Sequence, residues 1–239
     1  PRDLPPMTAR LVAPDITSVE TPRPAQDLPR IFSAQREAYR TTGSPNYALR
    51  RDRLERLLRV IEENEDALVE AMRLDFGHRS PTESRMLDIV LTVGDIRQAL
   101  RHLRRWMAPK RVGTPIHLRP ARSRIIPQAL GVVGVIGPWN FPVYTAIPPV
   151  AAALAAGNRV MLKPSELTPR TSALLADAIG KVFAEDELAV VIGGVDVARA
   201  FSSLPFDHLF FTGSTAVGRE VAKAAAQNLT PVTLELGGK

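Results

Sequence analysis

Between residues 50 and 72, apolar side chains return at steps of three and four: Leu54, Leu57, Leu58, Ile61, Leu68, Val69 and Met72. That spacing puts them on one face of a helix, and Gly77 supplies a stop. A second helix is expected from about Thr82, with Met86, Leu87, Val90, Val93, Ile96, Leu100 and Leu103 as its stripe and Pro109 closing it. Both stripes need a partner surface elsewhere in the molecule. The period changes between residues 115 and 129. Ile116 and Leu118, then Arg124, Ile125 and Ile126, suggest short strands around Pro120. Prolines keep such strands at an edge, so a hairpin or edge ribbon is expected.

From residue 131 onward, short apolar runs alternate with helical stretches. The pattern predicts strands over 131–136, 159–162, 189–192, 208–211 and 231–236. Helices are expected over 148–156, 169–183, 196–204 and 215–228, with Thr168 as an N-cap and Pro169 in the first turn. Apolar runs without alternation suit parallel strands buried on both faces. Five βα-type repeats with short connections predict an α/β fold, a doubly wound, Rossmann-like parallel sheet preceded by amphipathic helices. Four stretches follow: a leader over 1–30, a helical part over 31–112, an edge hairpin over 113–130, and a dinucleotide-binding α/β domain over 131–239.

Charge changes this picture little. The first 130 residues carry 23 Lys+Arg against 16 Asp+Glu, and the remainder 8 against 9. The excess is Arg mixed with Glu along helices, which reads as a solvated face. Nucleic-acid binding wants a basic stripe with few acids or with interleaved aromatics, so no nucleic-acid partner is expected. The most apolar stretch, from Val143 to Ala156, is short and interrupted by Pro148 and Pro149, so no membrane span is expected either. Residues 1–30 hold seven prolines and no continuous apolar segment. They read as a disordered leader rather than a signal peptide, with Met7 as an alternative start, and a cytoplasmic location follows. Without cysteines there is no disulfide, thiolate metal site or cysteine nucleophile in these residues. The four histidines show no metal-ligand spacing, so no metal is expected.

The candidate chemistry sits at the predicted strand ends, where such sheets bind ligands. Thr212, Gly213 and Ser214 follow a strand and open a helix; a tight turn at Gly213 would aim unpaired helix N–H groups at a pyrophosphate. A plain Ser N-cap accounts for the motif equally well. The usual Gly-x-Gly-x-x-Gly fingerprint is absent, since Gly131, Gly134 and Gly137 are spaced differently. Lys163 and Glu166 could grip two ribose hydroxyls, and a carboxylate there repels a 2′-phosphate, favouring NAD over NADP. They could also be a surface ion pair. Asn140, between Pro138 and Pro142, lies on a rigid loop that could present its amide to an oxyanion. An Asn in a turn is the plainer reading. Glu235 lies between Leu234 and Leu236, and a carboxylate at the end of a buried strand must be paired or titrate upward. An upward shift suits general-base work. A structural ion pair, for instance with Lys239, would also explain it.

Taken in order, Pro138-Trp139-Asn140-Phe141-Pro142, Lys163-Pro164-Ser165-Glu166, Phe211-Thr212-Gly213-Ser214-Thr215 and Leu234-Glu235-Leu236-Gly237-Gly238-Lys239 resemble successive signatures of the aldehyde dehydrogenase superfamily. The resemblance runs from about Ile31 to the end. Asp75-Phe76-Gly77-His78-Arg79, the stretch from Arg101 to Met107, and the stretch from Asn228 to Lys239 look most like the coniferyl aldehyde dehydrogenase subgroup. The resemblance implies NAD as cofactor (NADP as the alternative) and an aldehyde as substrate. A homodimer is expected for the complete enzyme, with the 115–129 ribbon as a candidate contact. It implies Asn140 as the oxyanion-stabilising amide and Glu235 as the base that activates water. Lys163 and Glu166 would hold the adenosine ribose, and Gly213 and Ser214 would face the pyrophosphate. Trp139 and Val217 would line the cofactor cleft, with Ile136 and Pro138 toward the nicotinamide. The strand-end residues Ser165, Gly194, Phe211, Thr212 and Leu236 complete the cofactor-contacting set. The family's nucleophilic cysteine has no counterpart in these 239 residues, so the chain reads as an amino-terminal fragment, inactive alone and lacking the catalytic domain. A non-catalytic dinucleotide-binding or scaffold role is the alternative.

Overall fold

The computed structural model describes residues 27–238. Most of the stretch read as a leader, and Lys239, therefore lie outside the described residues. Helix α1 (Asp27–Thr42) starts inside that stretch, so the boundary expected at residue 30 falls too late. Leu28, Ile31 and Phe32 of α1 are buried, and the buried Gln35 donates Nε2 to the carbonyls of Val160 and Glu185, at 2.9 Å each.

The stripe from Leu54 to Met72 belongs to two helices, α2 (Tyr47–Glu63) and α3 (Glu65–Phe76). The break is at Asn64, whose side-chain amide donates to the Val60 carbonyl at 2.8 Å and competes with the backbone ladder. Gly77 ends α3 as expected, left-handed at φ 75° with its N–H on the Arg73 carbonyl. The next helical stretch is also less regular than its stripe. A short helix α4 (Pro81–Ser84) passes into a π-helical turn (Arg85–Val90) and then α5 (Leu91–Met107). The wider turn rotates the register. As a result Asp88 and Ile89 point inward, whereas Met86, Leu87 and Val90, expected in the buried stripe, are exposed.

Strands β1 (Lys110–Val112) and β2 (Ser123–Ile125) pair antiparallel as a separate ribbon. The first strand precedes the expected hairpin, and Ile116–Leu118 is a single 3₁₀ turn rather than a strand. Local prolines at 115 and 120 leave that segment no ladder to join.

The remaining strands are β3 (Val132–Ile136), β4 (Arg159–Lys163), β5 (Leu188–Val190), β6 (His208–Gly213) and β7 (Val232–Leu236). They form one parallel sheet in the order β5-β4-β3-β6-β7. Helices α6 (Ile147–Ala156), α7 (Pro169–Gly180), α8 (Val195–Ser202) and α9 (Thr215–Ala226) make the crossovers. Successive residues of each strand serve opposite faces. Val133 and Val135, with Val160, Leu162 and Val190, pack on Leu54, Leu57, Ile96, Leu103, Leu154 and Ile179. Val132, Met161, Ala189, Leu209 and Phe211 pack on Ile31, Phe201, Val221 and Ala225. The helices expected as a separate part over 31–112 are thus layers of the sheet domain: α2 and α5 share one core with it, and α1 the other. Each fully buried Leu or Ile here contributes about 2 kcal/mol. The helical cap expected at Thr168 is not a side-chain cap. Asp75 of α3 instead accepts the N–H groups of Arg170 and Thr171, at 3.1 and 2.9 Å. No helix among the described residues is long and apolar enough to cross a membrane.

Candidate functional site

Strand order reverses between β3 and β6, since β4 and β5 lie to one side of β3 and β6 and β7 to the other. The loops leaving β3 and β6 part in opposite directions, and a crevice opens beyond the strand ends. Register brings residues distant in sequence onto its floor. Ile136 pairs with Lys163 on one side and Phe211 on the other. Thr212 pairs with Glu235, and Gly213 with Leu236.

The resulting cleft is about 660 Å³. Both residues given catalytic roles by resemblance, Asn140 and Glu235, line it. So do Ile136, Pro138, Trp139, Lys163, Ser165, Glu166, Phe211, Thr212, Gly213, Ser214, Val217 and Leu236. Gly194 does not line it. It is the N-cap of α8, its carbonyl accepting the Ala198 N–H at 3.0 Å; what reaches the cleft from this helix is Ala198.

Lys163 is almost fully buried at the end of β4, and its ammonium pairs with the half-exposed Glu166 carboxylate. A buried ammonium is costly without such a partner. Burial pushes the Glu166 carboxyl up, but the Lys163 hydrogen bond, a backbone N–H and the Lys163 charge outweigh it. The net result lies below the ordinary glutamate value, so Glu166 is ionised at neutral pH. The pair is therefore neither a surface ion pair nor a free one: its cation is inside and its anion faces the cleft.

Helix α9 starts at the mouth of the cleft. Ser214 is extended (φ −72°, ψ 150°), and its Oγ accepts the Val217 N–H at 3.3 Å. The cap leaves the hydroxyl proton and the first helix N–H groups directed outward. Gly213 is the last residue of β6, not a tight turn. It is required by space, because a Cβ there would sit 2.5 Å from the Phe211 ring.

The loop between β3 and α6 carries Trp139 and Asn140, both exposed toward the cleft. Among the described residues none hydrogen-bonds the Asn140 carboxamide, which is free to act on a ligand. Its backbone is held: Arg79 Nη1 donates to the Asn140 carbonyl at 2.6 Å. Glu235 differs from expectation. Among the described residues strand β7 is an edge strand and Glu235 is exposed, so the burial expected for it is not seen there. An ion pair with Lys239 lies outside the described residues.

Sequence reasoning missed a second groove of about 640 Å³ between α8 and α9. It shares Ile136, Ala198, Phe211 and Val217 with the first and continues past Val195, Ala216 and Val221. Nothing in a linear pattern announces it, because it exists only where two helix faces meet. Arg79 and Asp88 were also missed. An Asp amid Met86, Leu87, Ile89 and Val90 was the available signal.

Comparison with known proteins agrees with this geometry. The family model described as "Aldehyde dehydrogenase family" matches residues 16–239. The coniferyl aldehyde dehydrogenase of Pseudomonas sp. strain HR199 is 46% identical over 215 residues, covering 90% of this chain and 44% of that protein. The substrate-bound structure of Staphylococcus aureus AldH superposes with a TM-score of 0.85 at 34% identity, covering 89% of this chain and 46% of that one. A Mycobacterium tuberculosis aldehyde dehydrogenase complexed with NAD+ gives 0.77 at 31% identity, covering 90% and 44%. The chain spans less than half the length of the relatives it matches.

Proposed function

The chain belongs to the aldehyde dehydrogenase family, and from that premise we propose that it binds NAD+ in the two joined cavities and supplies two groups that act on an aldehyde in a complete enzyme. The observation that carries this reading is the convergence of four strand tips and one helix start on a single cleft that holds both Asn140 and Glu235. The two cavities, joined along Ile136, Ala198, Phe211 and Val217, suit a ligand with two ring systems and a charged middle. The start of α9, capped by Ser214, meets the pyrophosphate. Lys163 and Glu166 take ribose hydroxyls, and the apolar groove between α8 and α9 takes the adenine. The ionised Glu166 favours NAD+ over NADP+ by repelling a 2′-phosphate.

Bound NAD+ supplies the hydride acceptor. Asn140 donates its carboxamide N–H to the oxygen of the reacting carbonyl as negative charge develops there. Glu235, exposed to the cleft, takes a proton from the water that releases the acid product. The named activity of the Pseudomonas relative supports an aromatic, coniferyl-aldehyde-like substrate. These 239 residues hold no cysteine, so a thiol nucleophile would come from outside them, and this chain alone is expected to produce no NADH from an aldehyde. A dimer of the complete enzyme is supported by the exposed Ile116, Leu118, Ile125 and Ile126 of the β1–β2 ribbon.

Calorimetric titration of the purified chain with NAD+ and with NADP+ tests the reading. Saturable NAD+ binding, tighter than NADP+, is expected. Absence of binding by either would overturn it, and cysteine-independent aldehyde oxidation by the chain would overturn the expectation of inactivity.

A further inference from the structure

Asp88 is fully buried and Arg79 nearly so, and their carboxylate and guanidinium meet at 2.8 Å. Such a pair is weak support for stability, since desolvating both charges offsets much of their attraction. Apart from a 3.8 Å approach of Arg79 Nε to the Glu83 carboxylate, the backbone contacts of the pair lead to one place. Arg79 Nη1 donates to the Asn140 carbonyl at 2.6 Å. Asp88 Oδ1 accepts the N–H groups of Val143 and Tyr144, at 3.1 and 3.0 Å. The guanidinium lies between the rings of Phe76 and Phe141, 4.8 Å from each centroid. The Phe76 ring, in turn, stands 6.0 Å from that of Trp139. A segment 55 to 61 residues earlier in the chain thus grips the loop at both ends of its turn.

The π-helical turn over Arg85–Val90 is what aims Asp88 inward. The same turn leaves Met86, Leu87 and Val90 on the outer face of the described residues. Such turns concentrate at functional sites.

We propose that Arg79 and Asp88 are positioning residues that hold the loop over residues 140–144 so that the Asn140 carboxamide faces the cleft. This rests on the reading of Asn140 as the oxyanion-stabilising amide. The pair acts through the backbone alone, since neither residue lines the cleft. Its charges satisfy a carbonyl and two N–H groups that a neutral apolar pair could not, and this is the reason a costly buried ion pair stands where hydrophobic side chains would pack as well.

The full chain is tested in a Trp106→Phe background, which leaves Trp139 as its only tryptophan. Asp88→Ala and the double variant Arg79→Met/Asp88→Leu are compared with the parent by amide hydrogen exchange, by acrylamide quenching of Trp139, and by the NMR signal of the Asn140 carboxamide. The double variant leaves no unpaired buried charge and is the one expected to fold well. Exchange at Val143 and Tyr144 should quicken on the order of 10- to 100-fold, as when a hydrogen bond to a charged acceptor is lost. Quenching of Trp139 should rise and the Asn140 signal should broaden, while amides of Val133 and Leu162 in the sheet keep their protection. Asp88→Asn, which retains an acceptor oxygen, should restore much of the protection at Val143 and Tyr144. Unchanged exchange and quenching in the folded double variant would overturn the proposal. So would a loss spread evenly through the sheet, which marks a pair serving global stability only. If the parent chain fails to bind NAD+, the reading of the cleft falls, and the loop measurements still decide whether this pair holds the loop.

Discussion

Arg53, whose side chain is only 4% exposed, donates to the Glu187 carboxylate at 3.0 Å, tying helix α2 to the residue just before β5. Arg56 joins the same carboxylate at 2.9 Å while its guanidinium lies 4.4 Å from the Phe183 ring centroid. Burial pushes the Glu187 carboxyl up, but hydrogen bonds and charge from Arg56 and Arg53 outweigh it and hold it below the ordinary glutamate value. A folded-state pKa below the unfolded one gives stability that is present above the unfolded value and lost as pH falls through the folded value. Stability in urea should therefore decline as pH drops below about 4.3, the unfolded glutamate value. Glu187→Gln should flatten that acid limb and cost about 3 kcal/mol at neutral pH, because Arg53 stays buried without its counterion. An acid limb as steep in the variant as in the parent would show that this cluster does not govern it.

Gly157 closes α6 at φ +93°, and a Cβ there would lie 2.6 Å from the Arg50 guanidinium carbon. Arg50 in turn donates to the carbonyls of Ala155 and Ala156, at 3.1 and 2.6 Å, satisfying the helix end. Gly157→Ala should cost at least about 2 kcal/mol, from the left-handed backbone alone plus the displaced arginine. Chemical denaturation measures it, and a loss near the few tenths typical of surface changes would refute the account.

Ser214 separates two roles that a single alanine variant would confuse. Its Oγ caps α9 through Val217, and an aspartate caps as well as a serine. Ser214→Asp should keep the melting temperature of the parent, while its charge at the cleft mouth should weaken NAD+ binding by about tenfold or more through repulsion of the pyrophosphate. Ser214→Ala should lose about 1 kcal/mol of stability. Undiminished NAD+ affinity in the aspartate variant would remove the pyrophosphate from this helix start.

Glu166→Gln keeps an acceptor for the buried Lys163 but removes the charge facing the cleft. Relative affinity should move toward NADP+ by about tenfold, the scale of one partly screened charge interaction at close range. Parallel titrations with the two dinucleotides read this directly. A ratio unchanged from the parent would mean that Glu166 does not face the ribose.

Much of the fold was legible. Apolar runs without alternation identify β3, β4 and β5 as strands buried on both faces, because two helical layers leave them no solvent side. Gly77 and Gly157 mark helix ends because only glycine takes the left-handed backbone cheaply. The cluster of Asn140, Lys163, Ser214 and Glu235 was legible too, since parallel strands joined by right-handed crossovers bring every carboxyl end to one edge of the sheet.

Other features were decided only in three dimensions. The break at Asn64 and the π-helical turn at Asp88 do not interrupt the apolar spacing, so periodicity reads through both. Asp75 caps α7 across 95 residues of chain, in place of the adjacent Thr168. Glu235 stands exposed although its neighbours are apolar, because β7 is the edge strand among the described residues, and strand order is set by packing. Sequence by itself thus determined the strands and helices of the parallel-sheet part and which of their ends carry polar groups, because those follow from local backbone preference and the period of burial. Strand order, the α8–α9 groove and the grip of Arg79 and Asp88 on the Asn140 loop depend on which surfaces meet, and only packing between distant segments sets that.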